Sequence, residues 1–524
     1  MKTTSTRLWP TLSLVLVLVA GCSSRNGPST ETPPGGGARL AGLASFTAEM
    51  LRRGAGERTA EQIAEEVAFV GGDLSVDTRF DYTVVQVQVL REHLDFALGL
   101  LADLAQRPTF APEEIDFVRQ RELDRLAHMS SQPQWIANQA FFRALYGPGH
   151  PYNARDALPE TVRSLNREHL VAFHAEHYVP RNSLLVVAGD VQPDEIRAAA
   201  ERHFGGWAER PAPVHAIPEP PARTERSVLV VHRPDSTQAE LWVGNTGVNR
   251  ADPEFLELFI ASQVLGGSSS ARLFENLRER CGYTYGIYSN VYTGLGRVPF
   301  VISGSVETRY TAGALREIFA ELDRIRASEP PADDLAEAQA YLVGSFPFST
   351  ETAADLADLV HTQRVYGLPD DYWSTYRSAL SAVSASDALT AARDYIRPDD
   401  TLVVIVGDAD QVAEPARRYG HVTVVDVEGN HLRDLEAAPG EWPGGEPPPC
   451  PDAGPADAVS RTEQPPAPTA ARDLDFPEVH EAALANGLEV LTVEQHTLPL
   501  VHLRLIVRSG RASDPMLAPT EMAN

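Results

Sequence analysis

The chain has 524 residues, 43% of them apolar, which suits about two to four domains with real cores. A formal net charge of -27 excludes nucleic acid or an anionic membrane surface as a partner held by charge. Lys2 is the one lysine among 45 basic residues, a mark of coding or habitat and not of function.

Lys2 and Arg7 give the chain a positive start, and residues 8–18 form an apolar run too short to span a membrane as a mature helix. Val19-Ala20-Gly21-Cys22 resembles a bacterial lipoprotein cleavage box, so residues 1–22 read as a signal and Cys22 as a lipidated first residue. An ordinary secretory signal cut after Gly21 is the alternative. Several acyl chains on Cys22 would anchor the protein stably, and Ser23 after the cysteine points to the outer membrane. Residues 23–40, rich in Ser, Thr, Pro and Gly, read as a flexible tether. The three cysteines, Cys22, Cys281 and Cys450, cannot form a disulfide framework once the first is acylated, and no C-x-x-C zinc site is present.

Gly42-Leu43-Ala44 opens a helix-like stretch reaching Leu51. A second helix is expected over 58–67, broken by Gly71-Gly72 before a strand over 74–78. Across 82–90, Val85, Val87 and Val89 alternate with Gln86 and Gln88, the pattern of a half-buried strand whose other face is wet or helix-covered. Helical periodicity returns over 94–104 and 112–129. The turn Tyr146-Gly147-Pro148-Gly149-His150-Pro151-Tyr152 precedes a helix ending in Phe173-His174-Ala175-Glu176-His177-Tyr178, then a strand over 184–188 closed by Gly189-Asp190. His169, His174, Glu176 and His177 suggest a metal site, since His174 and His177 lie one turn apart. The plainer reading is satisfied surface or interface histidines.

The segment 178–190 recurs at 395–408, each copy following a helix and ending in Gly-Asp, so two tandem units of one fold are expected, 41–209 and 227–427. The Pro-rich stretch 210–226 reads as a semi-rigid linker across which the units could close on each other. Residues 428–475, dense in Pro, Gly and acids, read as disordered. Structure then resumes: Asn486-Gly487 is a hairpin signal, and Val501, Leu503, Leu505 and Val507 share one face of a strand.

Gly42-Leu43-Ala44 resembles the lead-in to the H-x-x-E-H helix of the pitrilysin/insulinase peptidases, in which two histidines and a distal glutamate hold zinc and the motif's own glutamate activates water. Here the three motif places read Ser45, Ala48 and Glu49, and an ungapped count carries the distal ligand onto Arg125. The resemblance implies that positions 49 and 125 converge, so a Glu49–Arg125 ion pair is expected. Residues 265–285, Leu-Gly-Gly through Arg278 to Tyr285, are similar to the family's most specific block. There an Arg/Tyr pair binds the substrate backbone near the scissile carbonyl. The plain alternative makes Arg278 a solvated helix residue and Tyr285 a strand residue capping the core.

The family carries strands like those of residues 476–515 ahead of its zinc helix, so here they look like a displaced front end, as in a circular permutation. The resemblance implies an α+β chain of two homologous sandwich-like domains, each a mixed, largely antiparallel sheet with helices packed on it, together forming half of a clamshell. Together with the lipidated Cys22 it points to a non-catalytic, lipid-anchored subunit whose H-x-x-E-H-bearing partner supplies zinc, with no cofactor in this chain and an extended peptide as substrate. The other readings are a self-sufficient zinc hydrolase using His169, His174 and His177, and an envelope scaffold or decayed fragment with no peptidase role.

Overall fold

The computed structural model describes residues 40–154, 156–214, 216–440, 450 and 476–515. The signal segment with Cys22, the tether before Leu40 and most of the Pro-rich stretch lie outside the described residues.

The chain is α+β, built on two large mixed sheets. The strands in order are β1 (Asp73–Thr78), β2 (Thr83–Leu90), β3 (Ser183–Gly189), β4 (Ser227–His232), β5 (Gln238–Thr246), β6 (Thr284–Val291), β7 (Pro299–Glu307), β8 (Leu402–Gly407), β9 (His421–Val425), β10 (His431–Leu435), β11 (Val479–Ala483), β12 (Glu489–Glu494) and β13 (Leu500–Val507). The first sheet runs β11-β12-β3-β13-β2-β1, and the second β10-β9-β4-β8-β5-β7-β6. Strand β10 occupies residues expected to begin the disordered stretch, because it pairs antiparallel with β9 and extends the second sheet. The helix expected over 58–67 forms at Ala60–Phe69, where Thr59 and Gln62 make a reciprocal capping box that fixes its start.

Helices α1 (Leu43–Leu51), α2 (Pro112–Met129), α3 (Pro133–Tyr146), α4 (Arg167–His177), α5 (Phe255–Gly266) and α6 (Ala353–Tyr366) surround the sheets. In the first sheet Val85, Val87, Val89, Leu503 and Leu505 point to one side and pack with Met50 and Leu51 of α1. The opposite face, with Leu184, Val186 and Ile506, is covered by Leu356 and Val360 of α6, which belongs to the second copy. Reciprocally, α3 of the first copy lays Ile136, Ala137 and Phe141 on Trp242, Val404 and Val406 of the second sheet. The two copies therefore interlock by exchanging helices. The linker is also tied down, with Pro218 O bonded to His150 Nε2 at 2.9 Å and Arg226 Nε donating to Pro398 O at 2.8 Å. Closure of one unit on the other across that linker does not match this packing.

The C-terminal strands complete the first sheet. Asn486-Gly487 turns β11 into β12, with Gly487 at φ 88, a conformation that favours glycine. Strand β12 runs parallel to β3, and β13 lies between β3 and β2, antiparallel to both. In the second sheet β4 runs parallel to β8, and β5 lies between β8 and β7. Residues 489–507 thus hold the places in the first sheet that 227–246 hold in the second, although they come last in the chain instead of first.

The two ends of the described chain meet. Leu40 N donates to Pro515 O at 2.9 Å, and the Asp514 carboxylate accepts from Gly42 N at 2.8 Å and Ala44 N at 2.7 Å. An aspartate 470 residues away in sequence caps the first helix. Gly42 is required there: its φ is +100°, and a Cβ would fall 2.4 Å from the Ala157 Cβ.

Candidate functional site: a vacated metal helix and an exposed Arg/Tyr block

Helix α1 is buried on most sides, and none of the three motif positions offers an imidazole. Ser45 Oγ donates to Gly42 O at 3.1 Å, and Ala48 is buried. Glu49 accepts from Arg52 Nε and Nη2 at 2.9 and 2.7 Å, and Arg121 Nη2 of α2 lies 3.2 Å from its Oε1. The expected Glu49–Arg125 pair is not formed. Arg125 instead bonds Glu122 and, at 2.6 Å, Asp156, whose other oxygen accepts from Trp135 Nε1. Burial works against the Asp156 charge, but Arg125 and Trp135 outweigh it and hold the carboxyl below the ordinary range. Arg121 and Arg125 are one helical turn apart, so the ungapped count overshoots the facing position by a turn. One carboxylate bonded by two arginines does not suit a divalent zinc, and Ser45 and Ala48 cannot complete a ligand set.

The histidine cluster does not converge either. His174 is pushed down to about 4 by burial, donates from Nε2 to Ala105 O at 2.8 Å, and stacks on Tyr178. His177 Nδ1 bonds Ser509 Oγ at 2.8 Å, and His169 takes part in the Asn166 cap of α4. Each ring has its own structural bond in a different direction, so the displaced zinc site is not assembled from these residues.

Arg278 and Tyr285 sit on irregular backbone. Residues Glu275–Arg280 form a π-helical turn, with Cys281 N donating to Asn276 O at 2.9 Å, five residues back. The Arg278 guanidinium lies 4.6 Å from the Phe274 ring centroid and stays 43% exposed. Phe274 is buried and also meets Tyr288, ring centroids 5.8 Å apart. Between Thr284 and Ile287, edge strand β6 carries one more residue than β7 opposite, a bulge pinned by the Thr284 hydroxyl donating to Ser305 O at 2.6 Å. Ile287, Ser289 and Val291 face the core, and plain alternation would put Tyr285 with them. The bulge turns it out instead, and Tyr285 is 89% exposed. Its reading as a strand residue capping the core is therefore overturned. Cys281, next to this block, is disulfide-bonded to Cys450, a single bridge that the low cysteine count does not announce.

Comparison with known proteins follows the same division. Residues 37–150 match the family described as insulinase (peptidase family M16), and 164–342 match the peptidase M16 inactive domain. The chain belongs to the M16 peptidase family. An uncharacterized zinc protease of Rickettsia bellii is 30% identical over 258 residues, 49% of this chain and 61% of that protein. YmxG of Bacillus subtilis, also an uncharacterized zinc protease, is 28% identical over 53% of this chain and 65% of its own length. The chain thus spans less than two thirds of these curated relatives. Among solved structures, a peptidase M16 inactive domain from Pseudomonas fluorescens superposes with a TM-score of 0.67 at 25% identity, covering 70% of this chain and 89% of that one. A Helicobacter pylori protease shares the fold, with a TM-score of 0.65 at 18% identity over 70% of this chain and 89% of that one.

Within this M16 chain, three residues that sequence reading passed over shape the two sites. Arg121 was hidden by the one-turn offset, Phe274 by its ordinary appearance as a core aromatic, and Asp514 by the 470 residues separating it from the helix it caps. Only the last had a visible signal, its place near the end of residues 476–515, which the family resemblance sets ahead of the zinc helix.

Proposed function

We propose that this M16 chain is the non-catalytic, substrate-binding subunit of a two-chain zinc peptidase. A homologous partner bearing H-x-x-E-H supplies the metal and the base. The carrying observation is the contrast between the two sites: Glu49 is neutralised by Arg52 and Arg121, while a π-turn and a bulge present Arg278 and Tyr285 to solvent. A guanidinium and a phenol are suited to hydrogen-bond a peptide carbonyl as negative charge grows on it. A lipid on Cys22 would hold the complex at the cell envelope, facing the periplasm, with short or unfolded polypeptides as substrates. In the same proposal residues 476–515 are the displaced front end of the first domain, an order equivalent to a circular permutation.

Purifying the chain with its partner from its own cells should yield chelator-sensitive peptidase activity that neither chain shows alone. Arg278→Ala and Tyr285→Phe should each lower kcat/KM by roughly tenfold to a hundredfold while melting and co-purification stay unchanged. Unchanged turnover in both variants would return the pair to the ordinary surface.

A further inference from the structure

The internal repeat lets one groove be compared with its counterpart in the same molecule. Gly189 and Gly407 align β3 with β8, so that Val186 and Ala188 match Val404 and Val406. Through the parallel registers, Leu491 and Val493 of β12 then match Leu229 and Val231 of β4. The exchanged helices match too: α3 and α6 have 14 residues each and end in Tyr146-Gly147 and Tyr366-Gly367. Beside α6 the space is filled by Phe346, Leu359, Leu368 and Trp373, with Phe476 added from the segment that leads into β11. Beside α3 it is open among the described residues. A cavity of about 760 Å³ follows the helix, floored by Leu126, Trp135, Ile136, Leu229, Val231 and Val425.

Two polar groups are set into α3 along this cavity. Gln139 stands where α6 has Leu359; it is 5% exposed, and its Oε1 has no hydrogen-bond partner among the described residues. A buried carbonyl left unpaired is costly, and a ligand donor would relieve it. One turn on, Arg143 stands where α6 has Gln363. The residue is exposed to solvent, and its guanidinium makes no ion pair within 4.0 Å among the described residues. Glu160 on the rim acts on it only from beyond that distance. A groove that is apolar along its floor, with an unpaired carbonyl and an unpaired cation on one wall, has the composition of a ligand site.

We propose that this groove docks an extended segment of another polypeptide. A bulky apolar side chain, aromatic by preference, fills the floor; a backbone N–H donates to Gln139 Oε1; and a neighbouring acidic side chain pairs with Arg143. The molecule supplies its own precedent, since Phe476, which enters the counterpart groove, is flanked in sequence by Asp475 and Glu478. Pairing Arg143 with a carboxylate adds a charge-assisted bond that the filled counterpart, with Gln363 there, does not need.

The probe is a fluorescein-labelled peptide with the sequence of residues 473–478, titrated against the full-length chain by fluorescence anisotropy. Saturable one-to-one binding is expected, weakened at least about tenfold by Arg143→Glu and abolished by Ala140→Trp, which fills the cavity from α3. A peptide with alanine for its phenylalanine should not bind. Arg143 is solvent-exposed, so Arg143→Glu should melt like the wild type and keep the test valid if Ala140→Trp misfolds. Absence of saturable binding overturns the proposal, including the case in which a segment of this same chain already fills the groove. Binding that survives both substitutions also overturns it, because the peptide would then be displacing Phe476 from the other groove. Neither outcome depends on peptidase activity.

Discussion

At Glu49, the side chain that would be a metal ligand accepts two bonds from Arg52 and lies 3.2 Å from Arg121. Restoring the motif by Ser45→His, Ala48→Glu and Glu49→His should therefore give only weak zinc binding, since a cation still occupies the distal ligand's position. Adding Arg121→Glu should raise the affinity by at least about tenfold, read by competition with a chromophoric chelator. Arg125→Glu in its place should not, because Arg125 faces Asp156; equal gains from both would mean that α2 is wrongly registered against α1. Asp514 makes a second residue-scale case. It is 3% exposed and accepts two bonds from the α1 N-terminus, where the helix dipole also favours its charge. Asp514→Ala should cost about 2 kcal/mol in urea unfolding, the upper end for a lost cap, and a change within error would leave the capping bonds without energetic weight.

The seam between α6 and the first sheet holds a charged cluster in an otherwise apolar layer. Arg504 of β13 donates to Asp358 Oδ1 at 2.6 Å and to His502 Nε2 at 3.0 Å, and it lies 3.1 Å from His361 Nδ1, while the other nitrogen of His361 faces the Tyr82 hydroxyl at 3.4 Å. Burial first, and then the Arg504 charge, pushes His502 down to about 4; burial likewise lowers His361, with Asp358 partly opposing. Both rings are neutral in the folded state but take up protons near pH 6.5 when unfolded. Their contribution is thus fully present above about pH 6.5 and lost as pH falls toward 4, by roughly 3 kcal/mol per ring at most. Asp81 has the opposite sign. Burial raises it to about 6, so its contribution is present below about 4 and lost as pH rises through 6. Two rings outweigh one carboxyl, and His174 adds to their side. Urea midpoints should fall between pH 6.5 and 4.5, and His502→Asn should flatten that slope; an unchanged slope would remove the ring from the account.

Element type was legible because each cue is local. The Val85, Val87, Val89 alternation, the Asn486-Gly487 turn and the repeated Leu-Val-Val…Gly-Asp strands each depend on neighbours within a few residues. The Arg/Tyr block was legible as a pattern, but its geometry was not. A π-turn and a one-residue bulge depend on hydrogen bonds to Asn276 and Ser305 that no periodicity encodes. Helix exchange between the copies was also invisible, since an amphipathic helix shows that it is covered without showing by which sheet.

The whole molecule depends on residues 476–515, wherever in the chain they are joined. Strand β13 is not a trim on the edge of the first sheet: it pairs with β2 from Leu500↔Leu90 to Val507↔Thr83 and with β3 on its other side. Without it, β2 and β3 lose their shared neighbour, and two rows of backbone donors and acceptors open beside Val85, Val87 and Leu185, which would pair with other chains. The α1 cap leaves with it, and so does the Arg504 contact to α6. The second sheet takes no strand from residues 476–515, but its copy contributes α6 to the layer that β13 completes. Ending the chain at Ala471 should therefore abolish cooperative unfolding of the first unit and reduce solubility, while leaving the second unit's transition at lower stability. Joining 476–515 directly ahead of Leu40 in the truncated chain is the matching gain-of-structure test. Leu40 N already lies 2.9 Å from Pro515 O, so a short joint spans the gap, and the shorter tether lowers the entropy of closing the sheet. That reordered chain should regain the full melting profile at or above the wild-type temperature. Failure to regain it would show that the strands depend on arriving last.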